Sequence, residues 1–294
     1  MFTERHANGV VVRAPAKVNL FLEVLGKRAD GYHEIATLMV AVNLDDTLVL
    51  TENDSGTIVL TCDHPELTTG QENLIVRAAR LLQERTGCRR GAAIQLIKRI
   101  PLAAGLAGGS TDAAATLAGL NLAWQLGLSS TELATLGADL GSDVPFFFAP
   151  GAAWCTGRGE RVEPLSLGSA LHLVIICPPQ GLSTAEVYRR VVLPRESENG
   201  DAIKDALCLG DVDSIGRLLH NRLQPAAEEL YPLIAELRRE LAELAPAGVL
   251  MSGSGSSVFA LCRDQSEAWR ISRRLRSGPE ELSGRRVFMV RTCA

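Results

Sequence analysis

An α+β fold in two halves is the class this sequence predicts, on three observations. Short β-branched runs fill the chain up to Thr61, helical patterning takes over after Asn73, and a second mixture of strands and helices begins near Gly168. The expected domains are residues 1–167 and 168–294. At 294 residues the chain suits one large or two medium domains. A hydrophobic share of 46% supports a sizeable core, and a charged share of 22% excludes a disordered chain.

In order, Val10–Arg13 is a β-branched run and Val18–Leu25 a partly alternating one, which stops at the turn-rich Gly26–Gly31. Ile35–Leu44, Thr47–Thr51 and Thr57–Thr61 read as further strands, with Asp54-Ser55-Gly56 as a hairpin turn between the last two. Asn73 caps a helix that ends at Thr86, with Gly87 as its terminator. A strand Ala93–Ile97 precedes a second helix capped by Ser110 or Thr111, and Ser129 or Ser130 caps a third. Gly151–Leu165 reads as a hairpin bending at Thr156-Gly157-Arg158-Gly159. In the second half, strands are expected at Leu171–Cys177, Val249–Met251, Ser257–Cys262 and Val287–Arg291. Helices are expected at Thr184–Arg190, Ile215–Leu223, Tyr231–Leu244 and Glu267–Arg276.

The net charge of −4 rules out a global basic field, so neither nucleic acid nor a membrane surface is an expected partner. Seven scattered cysteines, none at C-x-x-C spacing, argue against a zinc site or a disulfide framework. No run of eighteen apolar residues occurs and the N-terminus carries no long apolar stretch, so a reducing cytoplasm is the expected compartment.

The most informative segment is Pro101-Leu102-Ala103-Ala104-Gly105-Leu106-Ala107-Gly108-Gly109-Ser110-Thr111. It joins a strand to a helix. Its glycines let backbone N–H groups approach an anion, the helix start adds its positive dipole end, and Ser110 and Thr111 add hydroxyls. It lacks the Lys of a Walker loop and the spacing of a dinucleotide loop. Either it cradles phosphate, or small residues there merely allow tight packing.

Two charged residues lie in apolar surroundings: Lys17 in Ala16-Lys17-Val18-Asn19-Leu20, and Asp143 before Val144-Pro145-Phe146-Phe147-Phe148. Each reads alone as a solvent-facing or turn residue; together they can compensate one another at a protected site. Arg28-Ala29-Asp30-Gly31-Tyr32-His33 sets an aromatic beside an imidazole in a polar turn. Leu250–Ala260 holds a Gly/Ser loop before a strand.

Pro101–Ala113 resembles the ATP-binding motif of the GHMP kinases, roughly P-x-x-x-G-L-x-x-S-S/T-x-A. Pro15–Leu20, Gly141–Phe147 and Leu250–Ala260 resemble further motifs of that family, in family order. Ala107 and Ala103-Ala104 depart from it, standing where glycine is usual. The resemblance implies an N-terminal domain like the second domain of ribosomal protein S5, a ferredoxin-like C-terminal domain, and ATP and substrate in the cleft between them. It implies ATP with Mg²⁺ as co-substrate, no tightly bound cofactor, a small-molecule acceptor and no obligate protein partner. By that match Asp143 takes the proton of the acceptor hydroxyl, Lys17 stabilises charge there, Asn19 contacts the substrate, and the whole loop 101–111 binds ATP. The Gly31-Tyr32-His33 turn resembles the branch whose acceptor carries cytidine diphosphate. Tyr32 would stack on the base, His33 would bond its edge, and Tyr188 would cover the other face. Ser110 is a candidate magnesium ligand; the acidic ligand of some relatives has no counterpart. A homoserine or mevalonate-type kinase, or a non-catalytic nucleotide-binding regulator, are the alternatives.

Overall fold

The computed structural model describes residues 1–6, 9–276 and 284–293. The chain begins with strands β1 (Phe2–His6), β2 (Gly9–Lys27), β3 (His33–Asn53) and β4 (Ile58–Cys62). Helix α1 (Leu74–Thr86), strand β5 (Gly91–Ile97) and helices α2 (Gly108–Ala123) and α3 (Ser130–Ala138) follow, then a 3-10 turn at Pro145–Phe148. Next come β6 (Ala152–Gly157), β7 (Arg161–Leu165), β8 (His172–Cys177), α4 (Thr184–Arg190), α5 (Asp201–Leu209), α6 (Val212–Leu218) and β9 (His220–Asn221). The chain closes with α7 (Gln224–Leu230), α8 (Leu233–Glu243), β10 (Gly248–Met251), β11 (Val258–Cys262), α9 (Gln265–Arg276) and β12 (Arg286–Arg291).

These elements form two compact units. The first comprises Met1–Ala16, Leu44–Ile100 and Ala107–Ala149; the second comprises Lys17–Asn43, Pro101–Leu106 and Pro150–Ala294. In the first, β1 pairs antiparallel with the start of β2, the end of β3 pairs antiparallel with β5, and β4 pairs parallel with β5. The Asp54-Ser55-Gly56 turn is therefore not a hairpin: β5 lies between the two strands it joins. Val10, Val12, Leu48 and Leu50 alternate inward along their strands and are buried. On α1 the buried residues are Ile75, Val76, Ala78, Ala79 and Leu82. Asn73 Oδ1 accepts from Ile75 N–H at 2.9 Å, and Gly87 ends the helix at φ 70°. Helix α2 is apolar nearly all round and correspondingly buried. Gly119 brings its backbone close: a Cβ there would crowd Leu50 and Val12. Ser129 caps α3 in a capping box with Glu132.

In the second unit the start of β3 pairs antiparallel with β6, β6 with β7, and β2 pairs parallel with β9. A separate antiparallel sheet has the order β10-β11-β8-β12. Its apolar side packs with α8 and α9 through Val174, Ile176, Leu237, Leu241, Ala260, Ile271 and Leu275. Among the described residues no helix is long and apolar enough to cross a membrane.

Candidate active site

From Ala14 to Val24 every residue of β2 is buried, so a polar side chain there needs internal partners. Lys17 is only 3% exposed and Asn19 2%. Lys17 Nζ donates to Asn19 Oδ1 at 2.6 Å and to the Gly105 carbonyl at 3.0 Å. The Lys17 N–H donates to the Leu106 carbonyl at 3.1 Å. The Asn19 amide donates to Thr37 Oγ1 at 2.8 Å, and the Thr37 hydroxyl donates to the Phe21 carbonyl at 2.6 Å. The Gly/Ser loop closes on the same group. Ser252 Oγ donates to the Gly105 carbonyl at 3.0 Å, and the Ser257 N–H donates to the Ala104 carbonyl at 3.2 Å. Asn221 Nδ2 donates to the Met251 and Gly253 carbonyls, both at 2.8 Å. Residues 251–257 are all buried, so this segment is a fixed wall of the Lys17 site and not a loose turn.

The Pro101 loop takes left-handed backbone angles at alternate residues: φ is 50° at Ala103, 74° at Gly105 and 57° at Ala107. The two alanines thus carry angles that glycine adopts at less cost. Gly105 is needed twice over. A Cβ on it would run into the Ser252 and Gly255 carbonyl oxygens. Packing alone explains that glycine, while the rest of the loop leads to a helix end.

In the first unit, α2 starts after Ala107 and no side chain among the described residues caps it. The expected cap by Ser110 or Thr111 does not form, because both lie inside the first turn and a half. The uncapped N–H groups of Gly108, Gly109 and Ser110 are suited to an anion. Ser110 is half-buried, whereas Thr111 is fully buried, its Oγ1 without a hydrogen-bond partner among the described residues. A Cβ on Gly141 would stand 3.9 Å from Ser110 Oγ, so the Gly141–Asp143 turn lies beside this helix start. Asp143 itself is half-buried. It is held by Val144, whose N–H donates to the Gly141 carbonyl at 3.2 Å, and by the buried Pro145, Phe146 and Phe147.

Beneath the helix start lies a buried ionic triad absent from the sequence reading. Lys98 Nζ donates to Asp46 Oδ2 at 2.5 Å and to Asp112 Oδ2 at 2.6 Å. Asp46 Oδ1 also accepts the Arg99 and Ile100 N–H groups at 2.6 and 2.9 Å. Asp112 Oδ1 has no hydrogen-bond partner among the described residues. One cation faces two buried carboxylates, and Asp112 is the poorer bonded of the two. Burial pushes its carboxyl up to about 7, against the pull of Lys98. A Cβ on Gly108 would stand 2.9 Å from Lys98 Nζ, so the triad supports the helix start from behind. The signal was partly legible: Lys98 follows the apolar strand Ala93–Ile97, and Asp112 precedes three alanines.

The β2–β3 turn is tied internally. Arg28 bonds Asp30 at 3.1 Å and Glu34 at 2.6 Å, and Asp30 Oδ1 accepts the Tyr32 N–H at 3.1 Å. Tyr32 is 52% exposed, with the Arg158 guanidinium 4.8 Å from its ring centroid. His33 meets Tyr188 of α4, their ring centroids 5.0 Å apart and tilted by 33°. Burial, with the Lys27 charge, lowers the His33 imidazole below its ordinary value.

Models of two families match: GHMP kinases N terminal domain over residues 73–151 and GHMP kinases C terminal over residues 203–280. The chain is 44% identical over 283 residues to 4-diphosphocytidyl-2-C-methyl-D-erythritol kinase of Shouchella clausii, covering 96% of this chain and 94% of the relative. It is 46% identical to the enzyme of that name from Symbiobacterium thermophilum, covering 90% of this chain and 95% of the relative. The chain belongs to the 4-diphosphocytidyl-2-C-methyl-D-erythritol kinase family of GHMP kinases. A crystal structure of 4-(cytidine 5'-diphospho)-2C-methyl-D-erythritol kinase superposes with a TM-score of 0.77 at 36% identity, covering 97% of this chain and 99% of that one. Homoserine kinase from Cytophaga hutchinsonii gives a TM-score of 0.76 at 21% identity, covering 98% of this chain and 96% of that one, and shows the shared fold alone. As a GHMP kinase the chain is an ATP-dependent small-molecule kinase, with ATP as co-substrate.

Proposed function

We infer that the chain transfers the γ-phosphoryl group of ATP to the 2-hydroxyl of 4-diphosphocytidyl-2-C-methyl-D-erythritol, giving the 2-phosphate and ADP. This is a step in the non-mevalonate route to isopentenyl diphosphate. The observation that carries the reading is the 44% identity, over 96% of the chain, to a relative of that name. The turn that holds Tyr32 and His33 adds chemical support, because a flat, hydrogen-bonding pyrimidine suits an exposed ring beside a neutral imidazole.

Phosphoryl transfer passes through a loose transition state, so positioning and charge stabilisation supply most of the rate. The uncapped start of α2, with loop 101–111, holds the ATP phosphates. Asp143 accepts the proton of the acceptor hydroxyl late in transfer. Lys17, whose Nζ donates to Asn19 Oδ1 and the Gly105 carbonyl, stabilises negative charge at that hydroxyl, and Asn19 contacts the acceptor. Tyr32 stacks on cytosine, neutral His33 bonds its edge, and Tyr188 closes the base site. ATP enters with Mg²⁺, an ion that takes oxygen donors and keeps phosphate ligands. Ser110 Oγ, at the start of α2, is the oxygen donor that would help hold it, and when bound it would neutralise phosphate charge. The reaction belongs in the cytoplasm, whose reducing conditions suit the seven scattered cysteines of this chain.

A coupled ADP-release assay with the cytidyl acceptor, homoserine and mevalonate tests the reading. Turnover confined to the cytidyl acceptor supports it. Preference for either small acid, or no turnover with any, overturns it.

A further inference from the structure

Tyr32 has two unequal faces. Arg158 sits in the bend between β6 and β7, where Gly157 and Gly159 supply left-handed angles of 75° and 116°. Strand pairing sets Gly157 opposite Ile35, so the bend arrives beside the Tyr32 turn. Glu160 fixes the bend: its Oε2 accepts the Arg158 N–H at 2.6 Å, and its Oε1 lies 3.9 Å from Arg158 Nε. The Arg158 side chain is only 25% exposed although it carries a charge at a hairpin tip. Its guanidinium lies over one face of the Tyr32 ring, 4.8 Å from the centroid. Tyr32 remains 52% exposed, so a large part of the ring is open to solvent.

A guanidinium is planar and weakly hydrated, and it stacks on aromatic faces that attract its charge. Holding the ring in one orientation before binding removes an ordering cost that the ligand would otherwise meet. We propose that Arg158 is a substrate-positioning residue, which covers one face of Tyr32 and so presents the opposite face to the cytosine ring of the acceptor. The proposal rests on the reading of Tyr32 as the base platform. Arg158 touches Tyr32 and acts through it. An arginine serving only the hairpin bend would leave substrate kinetics alone, because the Glu160 bond to the bend uses the backbone N–H.

The test is steady-state kinetics of the full chain with Arg158→Ala, Arg158→Lys, Tyr32→Ala and the Arg158→Ala/Tyr32→Ala double variant, with melting temperature as a folding control. Arg158→Ala should raise KM for the cytidyl acceptor about three- to tenfold while leaving kcat and KM for ATP unchanged. Arg158→Lys should recover part of the loss. In the Tyr32→Ala background, removing Arg158 should add nothing. If Tyr32→Ala raises KM and Arg158→Ala does not, the proposal falls and the base platform stands. If Tyr32→Ala is silent, the platform reading falls, and this proposal with it. Losses that simply add in the double variant also overturn the proposal, because Arg158 would then act independently of the ring. Should Arg158→Ala melt early, Arg158→Lys and Arg158→Gln decide: unchanged KM in both is fatal.

Discussion

Adding a methyl group at Gly105 and removing one at Ala107 are opposite perturbations of one loop, and they should have opposite signs. At Gly105, φ is 74° and a Cβ would press on the Ser252 and Gly255 carbonyl oxygens. The left-handed angle costs alanine about 1–2 kcal/mol. Overpacking against backbone that cannot rotate away adds about 1–3 kcal/mol, and the lower unfolded-state entropy of alanine returns about 0.5–1 kcal/mol. Gly105→Ala should therefore destabilise by about 1–4 kcal/mol, or roughly 2–7 °C in Tm for a chain of this size. Because the Gly105 carbonyl accepts from Lys17 Nζ and Ser252 Oγ, its displacement should also lower kcat. At Ala107, φ is 57°, and glycine relieves the strain at the expense of unfolded-state entropy. Ala107→Gly should be neutral to stabilising by about 1 kcal/mol. Ala103→Gly should gain less, because the Ala103 side chain packs against Gly181. Differential scanning fluorimetry with parallel kinetics measures all three. A Gly105→Ala variant that melts and turns over like the parent, or an Ala107→Gly variant that melts well below it, refutes the account of the loop.

Asp143→Asn keeps shape and removes the base, so kcat should fall by roughly 10²–10⁴-fold, with ATP affinity by calorimetry nearly intact; full turnover would remove Asp143 from the mechanism. Asp112 gives a pH signature. Its carboxyl is raised to about 7 by burial, so between about pH 4 and about pH 7 the folded chain holds a proton the unfolded chain has released. Stability on that account falls as pH rises through the window and levels off above it. Asp112→Asn keeps an oxygen for Lys98 and has no such proton, so its Tm relative to the parent should rise from about pH 5 to about pH 8. A difference that does not change with pH contradicts the assignment.

Much of the fold was legible because local chemistry agreed with tertiary packing. Asn73 and Gly87 bracket α1, the Ser129–Glu132 pair opens α3, and Thr184–Arg190 is helical as read. The misses have physical causes. The separate strands read on either side of Ala14-Pro15-Ala16 are one strand, β2, and those either side of Asp45-Asp46 are one strand, β3. The polar residues at these joins, Lys17 and Asp46, are bonded internally. Asp46, for instance, bonds Lys98 and two backbone N–H groups. The third helix of the second half, read over Ile215–Leu223, ends at Leu218, because β9 follows it and pairs with Phe21 and Leu22 of β2, far away in sequence. That pairing is held by Arg222, which bonds Glu23 twice at 2.7 Å and draws the buried Glu23 carboxyl down to about 2 against the opposing effect of burial. Helix α5 escaped notice because Gly200, which offers no side-chain cap, precedes it. At the site, the strand context singled out Lys17, and the same reasoning applied to Lys98 finds the triad. Arg158 could not be found this way: its meaning comes from the register that sets Gly157 opposite Ile35.

The central claim is that one phosphoryl group passes from ATP to the 2-hydroxyl of the cytidyl acceptor. Phosphorus NMR of the completed reaction, with carbon coupling to locate the new ester, tests it most directly. The account predicts one ADP per acceptor consumed, an intact cytidine diphosphate linkage, and a new phosphate monoester on the carbon that bore the 2-hydroxyl. A phosphate at another hydroxyl, cleavage of the diphosphate, or ADP released with inorganic phosphate and no new ester would contradict it.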